Sequence, residues 1–183
     1  MSLKYLFLSG SLLLSFMMFS QKNIFDVARS GSVEDLKALI TINADTINTV
    51  NEQGYTPLTL AAYNANDAVA LYLVDKVKDI NGNSKYGTPL AAAVFKGRTD
   101  IVKALLNADA NPNIADTNGS TPLHYAIIIR NEDMIKMLVA AKADINFEDK
   151  RGNSALDYAE MTKNENIILL LNSPVIRLLT MPH

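Results

Sequence analysis

The sequence contains no cysteine and no tryptophan, and only two of its 183 residues are histidine. Without cysteine there is no disulfide framework, no thiolate nucleophile and no zinc site built on sulfur. With only His124 and the terminal His183, a histidine-based catalytic triad or a two-histidine metal site is nearly excluded. Stability must therefore come from packing alone.

A charge excess of either sign is also missing. Lys and Arg together number 17, and Asp and Glu number 19, so the net charge is −2. A chain of this kind has no strong electrostatic attraction to nucleic acid, and none is expected as a partner. The composition, 49% hydrophobic and 20% charged, is typical of a folded chain, and this length predicts one domain.

The N-terminus carries an uncharged apolar run over residues 5–19, which follows Lys4 and ends where polarity returns at Ser20. The run is shorter than the roughly 20 residues that a membrane-spanning helix needs. It predicts a secretory signal peptide over residues 1–20, cleaved near Ser20. We therefore expect a secreted or periplasmic product without a membrane attachment. The alternative is a retained N-terminal membrane anchor.

The remaining sequence repeats itself with a period close to 33. A short element, Gly-(x)-Thr-Pro-Leu in its best copies, recurs at residues 54–58, 87–90, 119–123 and 152–156. A second marker agrees, because Asn48, Asn81, Asn113 and Asn146 follow one another at intervals of 33, 32 and 33. Two independent registers make a chance repetition improbable.

These repeats resemble the ankyrin repeat in the Thr-Pro-Leu-His run at 121–124 and the Ile-Val-x-x-Leu-Leu run at 101–106. The resemblance implies an all-α repeat solenoid of about five repeats, each a helix–turn–helix with a hairpin loop. The expected organisation is a repeat domain at 21–173, with repeats at about 22–50, 51–82, 83–115, 116–148 and 149–173, and a C-terminal tail at 174–183.

The residues themselves explain how each repeat folds. Thr56, Thr88 and Thr121 each precede a proline, so we expect the hydroxyl to cap a helix whose first residue needs no N–H donor. A row of alanines in one register of the first helices would let neighbouring repeats approach closely, and these are Ala61, Ala93, Ala126 and Ala159. The second helices carry apolar faces that only stacking repeats can cover.

Two departures from the repeat pattern predict local differences. One residue is missing before the third repeat, where Tyr86 stands in the place of the hairpin glycine, so that hairpin is expected to be distorted. The turn between paired helices has Gly31 and Gly97 in two repeats. The other three turns have Ala65, Arg130 and Lys163, and they are expected to accept a less comfortable backbone.

The search for chemistry finds no catalytic motif. His124 lies in the Thr-Pro-Leu-His element, where the family uses the ring to bridge backbone groups of neighbouring loops. The run at 109–114 is similar to the start of a calcium loop, but Ile114 stands where a sharp turn needs glycine. The prediction is therefore a protein that is not an enzyme and that holds no cofactor or metal.

The resemblance further implies a concave surface, made from the hairpin tips and the exposed side of the first helices. An apolar row, Tyr63, Phe95, Ile128, Ile129 and Met161, is expected there, although Ile128 and Ile129 could instead be buried against the next repeat. The complete set of expected binding residues is Tyr55, Tyr63, Asn64, Lys85, Tyr86, Phe95, Lys96, Asn118, Ser120, Ile128, Ile129, Arg151 and Met161.

The function expected from this resemblance is non-catalytic protein–protein interaction by an exported monomer, and the sequence fits a bacterial source. The unidentified protein partner could be an envelope enzyme that the chain steadies or inhibits, or a host protein. The alternative is a membrane-tethered or intracellular scaffold that keeps its N-terminal anchor. The apolar run at 175–179 either packs over the last helix pair or is offered to a partner.

Overall fold

A computed structural model describes residues 23–174 and residue 176. The expected signal peptide at 1–20 and most of the C-terminal tail lie outside these residues. The described part contains ten α-helices, no β-strand and one 3₁₀ helix, Ala44–Asn48. The α-helices are α1 (Ile24–Ser30), α2 (Val33–Ile42), α3 (Pro57–Tyr63), α4 (Asp67–Val74), α5 (Pro89–Phe95), α6 (Thr99–Asn107), α7 (Pro122–Ile128), α8 (Glu132–Ala140), α9 (Ala155–Thr162) and α10 (Glu165–Leu171).

The helices form two layers, which confirms the expected repeat solenoid. The inner helices α1, α3, α5, α7 and α9 pack on one another in sequence, and the outer helices α2, α4, α6 and α8 form the second row. Each inner helix also packs against the outer helix that follows it. Neighbouring inner helices meet at the predicted alanine row, whose four members are completely buried: Ala61, Ala93, Ala126 and Ala159.

The predicted helix starts are confirmed at Thr56 and Thr88. The Thr56 hydroxyl accepts a hydrogen bond from the Thr59 N–H at 3.1 Å, and Thr88 accepts one from Ala91 at 3.2 Å. In both helices the next residue is proline, which lacks the N–H that would otherwise need a partner. Each inner helix is thus only about two turns long but starts at a well-defined residue.

The core runs between the two layers along the whole stack. Leu36, Leu73, Leu105, Leu138 and Ile167 are completely buried, one from each outer helix. An amphipathic helix with such a face cannot be covered within its own repeat, so the outer helices depend on their neighbours. Within residues 23–174, every helix is too short or too polar to cross a membrane.

Four of the five turns between paired helices adopt the left-handed conformation, which at Ala65, Arg130 and Lys163 is the less comfortable backbone expected there. The φ angles are 58° at Ala65, 67° at Gly97, 57° at Arg130 and 51° at Lys163. Gly31 differs, with a φ of −83°. Glycine is required there for space, since an added Cβ would lie 2.7 Å from Cα of Val27.

The asparagines that marked the repeat connect adjacent repeats. The side-chain oxygen of Asn48 accepts a hydrogen bond from the Lys78 N–H, and Asn81 accepts one from Asn111. Asn113 does the same with the N–H of Asp144, and all three distances are 2.8 Å. The asparagine period thus reflects a contact that each of the first three repeats makes with the next.

The start of the C-terminal tail packs on the last repeat. Ile176 is 4% exposed and belongs to the same core as Ile167 and Leu171 of α10. Its N–H donates a hydrogen bond to the Ser173 hydroxyl at 3.3 Å. Of the two alternatives for the apolar tail, packing therefore holds for this residue.

Candidate protein-binding surface

The hairpin loops, called fingers below, share one construction in repeats two, four and five. A side-chain oxygen at the first finger residue accepts hydrogen bonds from the N–H groups two and four positions later. These first residues are Asn51, Asp116 and Asp149. Because the side chain satisfies the loop backbone internally, the finger tips are held in place without a β-strand.

The finger of repeat three is shorter, as the missing residue predicted. The N–H of Ser84 donates to the Gly87 carbonyl at 3.2 Å, and the N–H of Gly87 donates back at 3.0 Å. Gly87 has a φ of 96° and permits this tight turn. Its neighbour Tyr86 is displaced outward and is 54% exposed.

Adjacent fingers are tied together through the backbone. The carbonyl of Lys85 accepts hydrogen bonds from the N–H and the hydroxyl of Thr117, at 3.2 and 2.8 Å. The Asn118 carbonyl accepts the N–H of Lys150 at 3.0 Å. The tips of fingers three, four and five therefore form one continuous edge along the inner helices.

The apolar row predicted on the inner helices is exposed at four of its five positions. Tyr63, Phe95 and Ile128 are 45%, 44% and 43% exposed, and Met161 is 61% exposed. Ile129 is only half-exposed and packs against the core, so the alternative of burial applies in part to this residue. The apolar row is therefore accessible to a partner at the C-terminal ends of α3, α5, α7 and α9.

Five aromatic side chains gather into a slot between fingers two and three and the inner helices. Tyr55 and Tyr86 stack with ring centroids 5.7 Å apart, and Tyr63 and Phe95 stack at 6.3 Å. Tyr125 meets the edge of Phe95 at 5.6 Å. These rings, together with Ala91 and Ala92, enclose a hollow of about 450 Å³ that we call the aromatic slot.

The slot exists because repeat three has small residues where its neighbours have large ones. Ala92 lies four residues after Thr88, at the position of Leu60, Tyr125 and Tyr158 in the other repeats. Tyr125 and Tyr158 turn their hydroxyls toward the first residue of their own finger and donate to Asp116 and Asp149, at 2.6 and 2.7 Å. Alanine leaves this volume open.

Two lysines flank the slot. The Lys85 ammonium lies 4.6 Å from the centre of the Tyr86 ring, and the Lys96 ammonium lies 4.7 Å from that of Tyr63. A hydrogen bond with the Tyr86 side chain raises the pKa of Lys85. The slot is thus apolar inside and positively charged at its margin.

A second hollow continues the concave surface toward repeat five. Its lining includes Tyr125, Ile128, Asn118, Lys150 and Arg151. The Arg151 guanidinium contacts the Tyr158 hydroxyl and donates to the Asp149 carboxylate at 3.2 Å, which leaves it in a fixed position at the surface. Tyr125 lines both hollows and joins them.

Ser120 is less accessible than the expected binding set implies. It is 6% exposed because the finger turns it inward and its N–H donates to Asp116 at 2.9 Å, although it still lines the second hollow. The other finger positions in that set, Lys85, Tyr86, Asn118 and Arg151, are exposed, and Tyr55 is half-buried. Asn64 is exposed but donates to the Leu60 carbonyl and lies outside the aromatic slot.

The ionisable groups below this surface are occupied in holding the fold. Burial lowers the pKa of His124. Its Nδ1 accepts the Thr121 N–H at 3.0 Å, and its Nε2 has no hydrogen-bond partner among the described residues. Burial opposes ionisation of Asp149, but hydrogen bonds from Asn153, Tyr158 and Arg151 outweigh it and hold the pKa well below its usual range. Residues 23–174 hold no group of three or more acidic or histidine side chains suited to a metal ion.

The chain is similar to known repeat proteins. A family model described as ankyrin repeats (3 copies) matches residues 24–116 and 90–177. The Ankyrin repeat and SAM domain-containing protein 6 of Rattus norvegicus is 34% identical over 99 residues, and that of Mus musculus is 33% identical over the same length. In each case the match spans 53% of this chain and 11% of the relative.

Proposed function

The chain belongs to the ankyrin-repeat family, and from this premise we propose that it binds a protein partner on its concave surface. Ankyrin repeats generally mediate protein–protein interaction. The observation that carries the proposal for this surface is the aromatic slot, with Tyr63, Phe95 and Tyr86 all about half-exposed. Aromatic side chains grouped in a hollow are typical of the centre of protein interfaces.

The exposed aromatic rings have no role in the core that would account for them. The inner helices are already held together by the buried alanine row, and the fingers by their own hydrogen bonds. A contiguous apolar hollow rimmed by polar groups favours a binding role over a structural one. Met161 and Ile128 extend the same surface toward the last repeat.

The proposed role is non-catalytic and uses no cofactor, metal or nucleic acid. His124, Asp116 and Asp149 are buried and engaged within the fingers, which supports a structural role for each. The overall charge of −2 gives no general attraction to nucleic acid. The chain would act as a monomer whose concave surface is free for the partner.

We further propose export, with cleavage near Ser20, to the periplasm or the medium of a bacterium. The basis is the apolar run at residues 5–19. The partner would be an envelope enzyme or a host protein. The alternative is a tethered or intracellular scaffold with the N-terminus retained. Intact mass of the native protein separates them: a chain beginning near Gln21 supports export, and one beginning at Met1 contradicts it.

Affinity capture tests the binding surface. The wild type and a Tyr63→Ser, Phe95→Ser, Ile128→Ser variant would be incubated with the native extract, and the eluates compared by mass spectrometry. A control variant carries Leu71→Ser, because Leu71 is 42% exposed but lies on outer helix α4. A protein retained by the wild type and the control but lost by the triple variant supports the proposal. Equal retention by all three contradicts it.

A further inference from the structure

The concave surface carries three lysines that have no ion-pair partner within the described residues. Other cations of the described structure are paired with carboxylates, as in Arg29 with Asp26 and Arg98 with Asp67, and on the concave surface itself Arg151 is paired with Asp149. Lys85, Lys96 and Lys150 form no ion pair within residues 23–174. All three are exposed, and they border the aromatic slot or the hollow beside it.

The same lysines determine which charge on a bound partner is favoured. Aromatic rings often attract cations, but here ammonium groups already lie against Tyr86 and Tyr63. A cationic guest would be repelled by them, whereas a carboxylate beside the rings would be attracted. Asp149 is ion-paired with Arg151 at 3.2 Å, so the cations left to attract a partner's carboxylate are Lys85, Lys96 and Lys150.

We propose that the partner presents an extended acidic segment, with an aromatic or large aliphatic side chain in the aromatic slot and carboxylates near Lys150, whose ammonium group has no ion pair within the described residues. This inference rests on the proposed function and specifies its partner. The slot volume of about 450 Å³ lies within the range of binding pockets. The second hollow, lined by Lys150 and Arg151, lies directly beyond Tyr125 and is where the acidic part would bind.

The direction of the segment follows from the distribution of charge. Glu52 is an exposed acid at the tip of finger two, so the acidic part must lie on the opposite side of the slot, toward repeat five. Neighbouring inner helices are about 8–10 Å apart, and an extended chain covers about 3.3 Å per residue. The carboxylates are therefore expected about three to six residues from the anchoring side chain.

Selection from a random nonapeptide display library tests this inference with the full chain as target. We expect enriched peptides to combine one aromatic or large aliphatic residue with Asp or Glu three to six positions away. A basic or uncharged consensus would overturn the acidic assignment. Absence of any enrichment would overturn the extended segment, while the capture experiment separately decides whether the concave surface binds a folded protein.

Two matched pairs of variants locate the binding of the enriched peptide. Ala92→Leu introduces the residue that repeat two has at this position, and it should weaken binding tenfold or more by filling the slot. Leu71→Ser on the outer face should leave binding unchanged. Lys150→Glu should weaken it about three- to tenfold, and Lys103→Glu on outer helix α6 should not.

Salt and folding controls complete the test. The affinity of the wild type should fall as salt is raised from 50 to 500 mM, roughly as far as Lys150→Glu weakens it at low salt. Circular dichroism must show the same helical content for every variant. If Ala92→Leu lowers the helical content, Tyr86→Ser replaces it in the test. This substitution removes one wall of the slot at an exposed finger residue, and it is expected to weaken peptide binding by the same factor of about ten. Unchanged binding by a folded slot variant would overturn the anchor position.

Discussion

Ala65 and Gly97 occupy the same turn in neighbouring repeats, and both have the left-handed backbone conformation. Their φ angles are 58° and 67°. The following residue in each turn, Asn66 or Arg98, donates its N–H to the carbonyl of a buried alanine five residues earlier, at 2.9 Å. The two turns therefore have the same geometry but different residues, and exchanging the residues isolates the cost of a side chain in this conformation.

The expected magnitude comes from two opposing effects. A side chain at positive φ costs about 1–2 kcal/mol, whereas glycine loses about 0.5–1 kcal/mol more conformational freedom on folding. Ala65→Gly should therefore stabilise the protein by about 0.5–1 kcal/mol. Gly97→Ala should destabilise it by a similar amount, because an added Cβ would meet no atom within 4 Å and no clash contributes.

Thermal unfolding followed by circular dichroism measures both effects. For a domain of this size, about 1 kcal/mol shifts the Tm by roughly 2–4 °C. We expect a rise of about 1–4 °C for Ala65→Gly and a fall of the same size for Gly97→Ala. If both substitutions lowered the Tm, or if neither changed it, backbone strain in these turns would not be the cause and the reasoning would be refuted.

Three further perturbations test other parts of the structure. Asn81→Ala removes a hydrogen bond to the next repeat and should lower the free energy of unfolding in urea by about 1 kcal/mol. Asn146→Ala, at the same position in the last copy, should change it by almost nothing. Equal losses would contradict the bridging role of Asn81. Burial lowers the folded-state pKa of His124, so the unfolded state binds the proton more readily and stability should fall as pH drops below about 6.5. His124→Gln should flatten this dependence between pH 7.5 and 5.5, and an unchanged slope would exclude His124 as its source. Tyr63→Ser and Phe95→Ser each remove a ring that is about half-buried and should cost about 1 kcal/mol, and a loss above about 4 kcal/mol would refute the surface assignment.

Local chemistry explains why much of the fold was predictable. The Thr-Pro helix starts, the alanine row and the shortened finger each depend on residues that are close in sequence or that recur at one register. The less comfortable backbone expected at Ala65, Arg130 and Lys163 takes the form of a positive φ at each residue. Family membership then followed from the same pattern.

Features that depend on the three-dimensional position of neighbouring repeats were missed. Asp109 and Lys142, at φ angles of 60° and 67°, end outer helices in left-handed turns that carry no glycine signal in the sequence. Ser120 was expected at the surface because its position in the repeat does not reveal the hydrogen bond that its N–H donates to Asp116 within the finger. Gly31 was named only as a turn glycine, and the lack of space beside Val27 that requires glycine there was not foreseen.

The aromatic slot was predicted only in part. Tyr63 and Phe95 were expected in one row, and Tyr55 and Tyr86 were expected at finger tips. Their convergence depends on the shortened finger and on Ala92, at a position where other repeats have Leu60 or a tyrosine. Ala92, at a position where other repeats have leucine or tyrosine, is the sequence signal that could have revealed the slot.

Site-specific photo-cross-linking tests the central claim most directly. A photoreactive phenylalanine analogue replaces Phe95 on the concave surface or, in the control, Leu71 on the outer face, two residues with nearly equal exposure, 44% and 42%. After irradiation in the native extract, the account predicts a discrete cross-linked protein from position 95 and none of that mass from position 71. A cross-link formed only from position 71 would place the binding surface on the outer helices and contradict it.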